Sequence, residues 1–301
     1  NVAVGYNALT ANTTGDAQVA VGAYALDTNT TGQYNTAVGG LTLDALTTAN
    51  YNTAFGYSAA TAATTATQNV YVGGSAGVAV TTGSYSTFVG DAAGSYVTTG
   101  TENTAVGKNV LSTNTSGGSN VAVGNYSLNL NATGGNNTAI GFYALGKNTA
   151  SDGTAVGISA LKENTTGDAN TAVGANALEK NTTGNANTAS GYNALNFNQT
   201  GHNNAATGYR ALKNNTTGNA NTAVGSSALE INTTGNENTA LGYYALEKNN
   251  NGTHNTATGH DALRDNSSGS QNTAIGHNAV SYTHLRAHET VLDLVCRLLL
   301  E

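Results

Sequence analysis

The side chains in this sequence best able to do chemistry are its histidines and tyrosines, and their spacing restricts what that chemistry is. Outside a C-terminal stretch treated below, the histidines are His202, His254, His260 and His277. His260 and His277 lie seventeen residues apart in matching settings, each directly after a glycine, so stacked repeats would hold them about 5 Å from one another. Two imidazoles without a third ligand do not make a metal centre, and the expectation is two solvated surface histidines and no metal. The many glycines follow a repeat and do not form the G-x-x-x-x-G-K-[ST] or G-x-G-x-x-G loops that cradle phosphates. The Ca²⁺-binding nonapeptide G-G-x-G-x-D does not occur. The numerous N-T-T triplets match the glycosylation sequon, but a stack in register has no room for a glycan on every repeat, so they read as structural. No enzyme and no cofactor is expected.

The tyrosines are more informative. The glycine of an A-x-G triplet recurs from Gly5 to Gly276 at intervals of seventeen, except for sixteen between Gly141 and Gly157. Numbering each repeat so that this glycine is position 5, position 6 holds Tyr6, Tyr57, Phe142, Tyr192, Tyr209 and Tyr243, and position 7 holds Tyr24, Tyr126, Tyr143 and Tyr244. These positions vary from repeat to repeat while positions 3, 5 and 8 stay constant, which places them outside the shared lattice. Structurally they would cap the edge of the repeat or fill a gap between chains. Functionally, Tyr6, Tyr57, Tyr192, Tyr209 and Tyr243 would form a contact strip for a receptor or glycan, because exposed aromatic residues favour interfaces.

What must position them is a stack. Self-similarity at one short fixed period, with no space for a separate domain, indicates an array of about seventeen coils over residues 1–279. Position 3 is nearly always Ala, position 4 mostly Val, position 8 mostly Ala and position 9 mostly Leu. A β-branched residue in a short N-T-A-V-G run favours a strand, and N-T-T-G reads as a turn. The A-L-x-x-N segment fits either a second short strand or one helical turn. The fold class is therefore all-β, a parallel β-solenoid or β-roll.

Stacking places like residues above like. Position 1 forms one asparagine column (Asn170, Asn187, Asn204, Asn221, Asn238) and position 12 a second (Asn181, Asn198, Asn215, Asn232). Amides in register are expected to bond to the next coil, as in cross-β ladders, and Thr at positions 13 and 14 adds hydroxyl columns. The triplet glycines, among them Gly174, Gly191, Gly208 and Gly225, permit close backbone approach. Four small apolar side chains per coil make a thin core against an ordering cost of roughly 1.5 kcal/mol per residue. That balance predicts an oligomer, a homotrimer packed around a common axis.

Three irregularities stand out. Coils between about Gly40 and Gly100 lose Asn and gain Ala, Thr and extra Gly, as in GGSAGVAVTTGSYSTFVG from Gly73. One residue is missing near 149–153, which should flatten a turn. From Lys162 onward, opposite charges fill positions 10 and 11 (Glu179 with Lys180, Glu247 with Lys248, Arg264 with Asp265), marking them as exposed.

The last stretch, residues 280–301, turns Leu-rich and drops the period. It resembles a translated sequencing-library adapter: Val280 to Thr290 and Leu294 to Glu301 both match in one reading frame with an index between them. We expect it to be non-native. Leaving it aside removes the only cysteine, Cys296, and leaves eight basic and fourteen acidic residues, net −6. The remainder has no Cys, Pro, Met or Trp, hence no disulfide framework. A charged fraction of 9% is far below the roughly 25% of ordinary globular proteins. Mild acidity argues against nucleic acid as a partner, and no run approaches the roughly 18 apolar residues of a membrane span.

The NTAVG and NVAVG motifs at Asn1, Asn35, Asn103, Asn120, Asn170 and Asn221 resemble the S-V-A-I-G-type repeats of trimeric autotransporter adhesin heads, which form left-handed parallel β-rolls. The longer N-T-A-V-G-Y-N-A-L-x-x-N-T-T-G form resembles repeats of phage tail-fibre-like and bacterial surface proteins, often upstream of an endosialidase-type chaperone domain. The likeness covers residues 1–279 but departs from the adhesin heads in its longer coil. It implies a structural or adhesive surface fibre, extracellular, on a bacterial surface or outer membrane or on a phage virion, with a host-cell receptor, glycan or matrix protein as partner. The alternative is an ice-binding β-solenoid using Thr and Asn columns. Such a solenoid expects a flat T-x-T face, whereas the Thr residues of positions 13 and 14 are adjacent.

Overall fold

A computed structural model describes residues 1–281 as one parallel β-solenoid with no helix among them. Seventeen three-residue strands, from β1 (Val2–Val4) to β17 (Thr273–Ile275), occupy positions 2 to 4 of successive coils and make a single seventeen-stranded sheet. Each strand pairs with the next in the chain and like residue faces like, for example Thr171 with Thr188 and Ala172 with Ala189. Sixteen steps between seventeen strands, at about 4.8 Å each, give a rod of roughly 77 Å. Of the adapter-like tail, 280–301, residues 282–301 lie outside the described residues. Its first two residues, Val280 and Ser281, continue the coil, with Asp265 N donating to Ser281 O at 3.3 Å.

Strand geometry sends the central residue inward and its two neighbours outward. Position 3 is accordingly buried in every coil but the first, and positions 2 and 4 are half-buried or exposed. The chain then leaves the strand through Gly at position 5, with φ near +136°. A side chain there would strike the next coil: a Cβ on Gly191 would lie 2.4 Å from the carbonyl oxygen of Gly208. The triplet glycine thus serves a close approach between coils of the same chain.

The A-L-x-x-N segment is neither strand nor helical turn. Ala177 N donates to Gly174 O (3.2 Å), Glu179 N to Asn176 O (3.4 Å) and Asn181 N to Leu178 O (3.1 Å), so three turns overlap. Positive φ at Asn176 (57°) and Leu178 (50°) is what a type II turn demands of its third residue. The consequence is packing. Ala177 and Leu178, adjacent in sequence, are both fully buried, whereas an extended strand would send them to opposite faces. A left-handed Leu costs roughly 1–2 kcal/mol, and it recurs in coil after coil. Bonds between coils offset it: Asn193 N donates to Ala175 O (3.1 Å), Leu178 N to Ala194 O (3.0 Å) and Lys180 N to Asn196 O (2.9 Å).

Between Gly40 and Gly100 the same backbone holds a different interior. Position 3 becomes Tyr71 and Phe88, fully buried, with rings 5.8 Å apart. In those two coils position 9 is glycine, and a Cβ on Gly77 or Gly94 would lie 2.4 Å or 2.6 Å from the aromatic ring of its own coil. Ala plus Leu has been exchanged for aromatic plus Gly, conserving volume as core swaps must. Position 12 turns apolar over the same stretch, with Leu46, Ala63, Val80 and Val97 buried. The Tyr71 hydroxyl is buried without a partner, and burial pushes its pKa upward.

The missing residue is position 14. Thr149 still donates its hydroxyl across the coils to Thr165 O (2.7 Å), and Ala150 takes the place of the position 15 glycine, its carbonyl accepting from Asn148 Nδ2 at 2.8 Å. Strand register is undisturbed, with Thr138 opposite Thr154. The loss is absorbed at that corner.

Candidate functional site

Inside the rod the asparagines are fully employed. At position 1, Asn187 Nδ2 donates to Asn170 Oδ1 (3.1 Å) and to Gly201 O of its own coil (2.8 Å), while Asn187 N donates to the same Asn170 oxygen (2.9 Å). At position 12, Asn198 Nδ2 donates to Asn181 Oδ1 (2.8 Å) and to Gly201 O (3.0 Å). Asn181, Asn215 and Asn232 repeat the arrangement. The amides therefore bond to the side-chain oxygen of the preceding coil, and the position 15 carbonyl gathers both columns. The bonded position 12 column runs from Asn148 to Asn266. The position 1 column skips Gly153, whose nitrogen donates to Asn137 Oδ1 at 2.9 Å.

A third column was not foreseen. At position 16, Asp168 N donates to Asn185 Oδ1 (2.8 Å), Asn185 N to His202 Nδ1 (2.9 Å) and His202 N to Asn219 Oδ1 (2.8 Å). The signal was available in sequence as the frequent Asn, Asp, Ser or Thr there. His202 is thus a rung of a ladder. Of the two hydroxyl columns expected, position 13 forms one, for example Thr182 Oγ1 to Gln199 O (2.9 Å), while position 14 is exposed.

The candidate contact tyrosines all lie on the surface, with Tyr6 at 69% and Tyr243 at 43% exposure marking the extremes. Their rings are largely occupied with one another. Tyr192 and Tyr209 stack at 5.6 Å and 12°, and Tyr6 meets Tyr24 edge-on at 5.4 Å. Tyr243 packs on Tyr244 (4.0 Å) and on His260 (5.1 Å), and His260 stacks on His277 at 5.0 Å, the separation expected of one coil step. Stacking covers one ring face of each of Tyr192 and Tyr209 while about half of each residue stays exposed. Another stacked pair, Tyr34 with Tyr51 at 4.9 Å, sits at position 17, which sequence reasoning passed over. No group of three metal-ligating side chains exists among the described residues, and no helix there is long and apolar enough to cross a membrane.

Charge pairs do line positions 10 and 11, both within a coil (Glu179 with Lys180, 3.1 Å) and between coils (Glu247 with Arg264, 2.9 Å; Asp265 with Lys248, 2.6 Å). The acids are more buried than expected, at 16–25% side-chain exposure. The Lys147 hydrogen bond is the main influence holding the Glu163 carboxyl below its ordinary pKa, and desolvation pushes the Asp44 carboxyl above its own.

The outer face of the seventeen-stranded sheet runs the length of the rod. Position 2 is Thr in most strands, Val in four and Ala in one (Ala205), position 4 is mostly Val, and no strand carries a charge. Val106, Ile140, Val173, Val224 and Leu241 are 37–44% exposed. The face is an uncharged surface rich in Thr and Val, with Ser190, Thr207 and Thr258 interrupting the apolar column of position 4. No family model, curated protein or solved structure matches the chain.

Proposed function

We propose that the chain is a segment of a structural or adhesive surface fibre, an adhesin head or tail-fibre-like shaft, that works as a homotrimer outside the cell on a bacterial surface or a phage virion. The observation that carries this reading is the uncharged outer face of the sheet, rich in Thr at position 2 and in Val, Ile and Leu at position 4. Half-exposed Val, Ile and Leu over some 77 Å are an unusual load for one soluble rod, and a partner with the same axial repeat as this face is another copy of it. Burying the position 4 column between copies adds apolar area to a thin core at roughly 25 cal/mol per Å². The exposed tyrosines of position 6 and the charge pairs of positions 10 and 11 then remain free for a receptor, glycan or matrix protein.

The test is the oligomeric state. Light scattering on the purified rod should give three copies, and Val173→Lys with Val224→Lys should dissociate them; a cooperatively folded wild-type monomer overturns the trimer. Cell or glycan binding that survives Tyr192→Ala with Tyr209→Ala would remove these residues from the adhesive role.

One observation favours ice binding as a second reading. The Thr residues set in the parallel sheet are those of position 2, with Thr again at position 4 in Thr256-x-Thr258, whereas those of positions 13 and 14 lie outside the strands. Thermal hysteresis by a monomer would favour it over the fibre.

A further inference from the structure

We infer that Asn251 is a self-modifying site, at which the backbone rearranges through a succinimide to aspartate and isoaspartate, and that this reaction opens the rod locally. Asn251–Gly252 is the single Asn-Gly pair in the sequence. It occupies positions 14 and 15, and every other coil with a residue at position 14 carries Thr or Ser there. Asn251 is exposed, so its side chain is accessible to water. The Gly252 nitrogen donates no hydrogen bond, as is also so for Gly184, Gly201, Gly218 and Gly235, so no bond has to break before it attacks, and what sets this coil apart is the exposed asparagine before the glycine.

The chemistry balances within the chain and water. The Gly252 nitrogen, losing its proton to hydroxide, attacks Asn251 Cγ; the new N–Cγ bond closes a five-membered ring as the Cγ–Nδ2 bond breaks and ammonia leaves. Water then opens the ring at either carbonyl, giving aspartate or isoaspartate. A glycine next in the chain favours closure because no side chain obstructs the approach. The other pair prone to this chemistry, Asp152–Gly153, is held back, since the Gly153 nitrogen donates to buried Asn137 Oδ1 at 2.9 Å.

The consequence follows from what Gly252 does. Its carbonyl accepts from Asn238 Nδ2 (2.8 Å) and Asn249 Nδ2 (3.0 Å), joining the two asparagine columns. Isoaspartate inserts a methylene into the main chain beside that carbonyl and displaces it from both amides. The full chain would be aged at mildly alkaline pH, then mapped by peptide mass spectrometry and by isoaspartyl methyltransferase labelling, with hydrogen exchange on the aged sample. The expected result is amide-to-acid conversion and label first in the peptide holding Asn251, abolished by Asn251→Thr, with amide protection lost around Asn238 and Asn249. Earlier modification at another asparagine or at Asp152 would overturn the site, and unchanged protection in modified chains would overturn the opening.

Discussion

Two stretches of one rod solve the same problem with opposite chemistry. In coils from Asn170 to His254 the interior holds two bonded asparagine columns with Ala and Leu between them. In the coils from Asn69 to Glu102 position 12 is Val, position 3 is an aromatic ring and position 9 is Gly. Strand pairing and register are the same in both. The backbone lattice therefore accepts either filling, and what it enforces is volume and hydrogen-bond closure. An amide without its ladder neighbour leaves buried donors and acceptors unmet; a ring without its glycine collides.

The sharpest way to break this comparison is to attack what both stretches share. Gly191→Val places a side chain against the Gly208 carbonyl and forces a β-branched residue to φ +137°. A loss above about 4 kcal/mol is expected, with hydrogen exchange deprotecting several coils around the site. Protection no worse than in Tyr192→Ala would contradict the close-packed role of that glycine.

Volume exchange is tested by a double-mutant cycle. Phe88→Ala alone should cost about 3–5 kcal/mol through the cavity it leaves. Gly94→Leu alone should cost about as much by overpacking against the ring, at the upper end of such effects. Together they rebuild an ordinary Ala–Leu coil, so the double variant should melt close to wild type. Additive losses would show that the two positions do not compensate.

Asn198→Ala should cost about 1–2 kcal/mol, because Asn215 Nδ2 and Gly201 O each lose a partner. Stability in such arrays sums over coils and their interfaces, so deprotection should stay within the adjoining coils. Spread to the aromatic coils would mean the rod unfolds as one unit. Tyr192→Ala, at an exposed stack, should change stability by about 0.5 kcal/mol or less.

The smallest effects are electrostatic and opposite in sign. Glu163 has its pKa lowered, chiefly by Lys147, so its contribution is present above the unfolded carboxylate pKa and is lost as pH falls through the lower folded value. Asp44 has its pKa raised by burial, so it weakens the fold when ionised and relieves it as pH falls through the raised value. Urea midpoints measured across the acid range should show Glu163→Gln flattening the first trend and Asp44→Asn the second. Effects of the same sign in both variants would refute the contrast.

The trail from sequence to rod is uneven. Position 1 and position 12 were recognisable as columns because only a stack gives identical residues identical neighbours. The position 16 column went unseen because its members differ in type, sharing only an oxygen or nitrogen able to accept from a backbone amide. The pairing of Tyr71 with Gly77 and Phe88 with Gly94 was present as a covariation of positions 3 and 9, but its meaning needs the knowledge that both point to one interior. The exposed tyrosines of position 6 lay where the period placed them, although the mutual ring stacking of Tyr192 and Tyr209 could not be read from residue identity.

What the sequence by itself determined is the period, and with it parallel pairing in register, because a seventeen-residue unit too small to bury itself must bury against its own copy. Tertiary structure alone decided which way each side chain faces beyond the strand. Left-handed φ at positions 7 and 9 turns neighbouring Ala and Leu inward together, and those values are held by bonds from one coil to the next, which no single repeat contains.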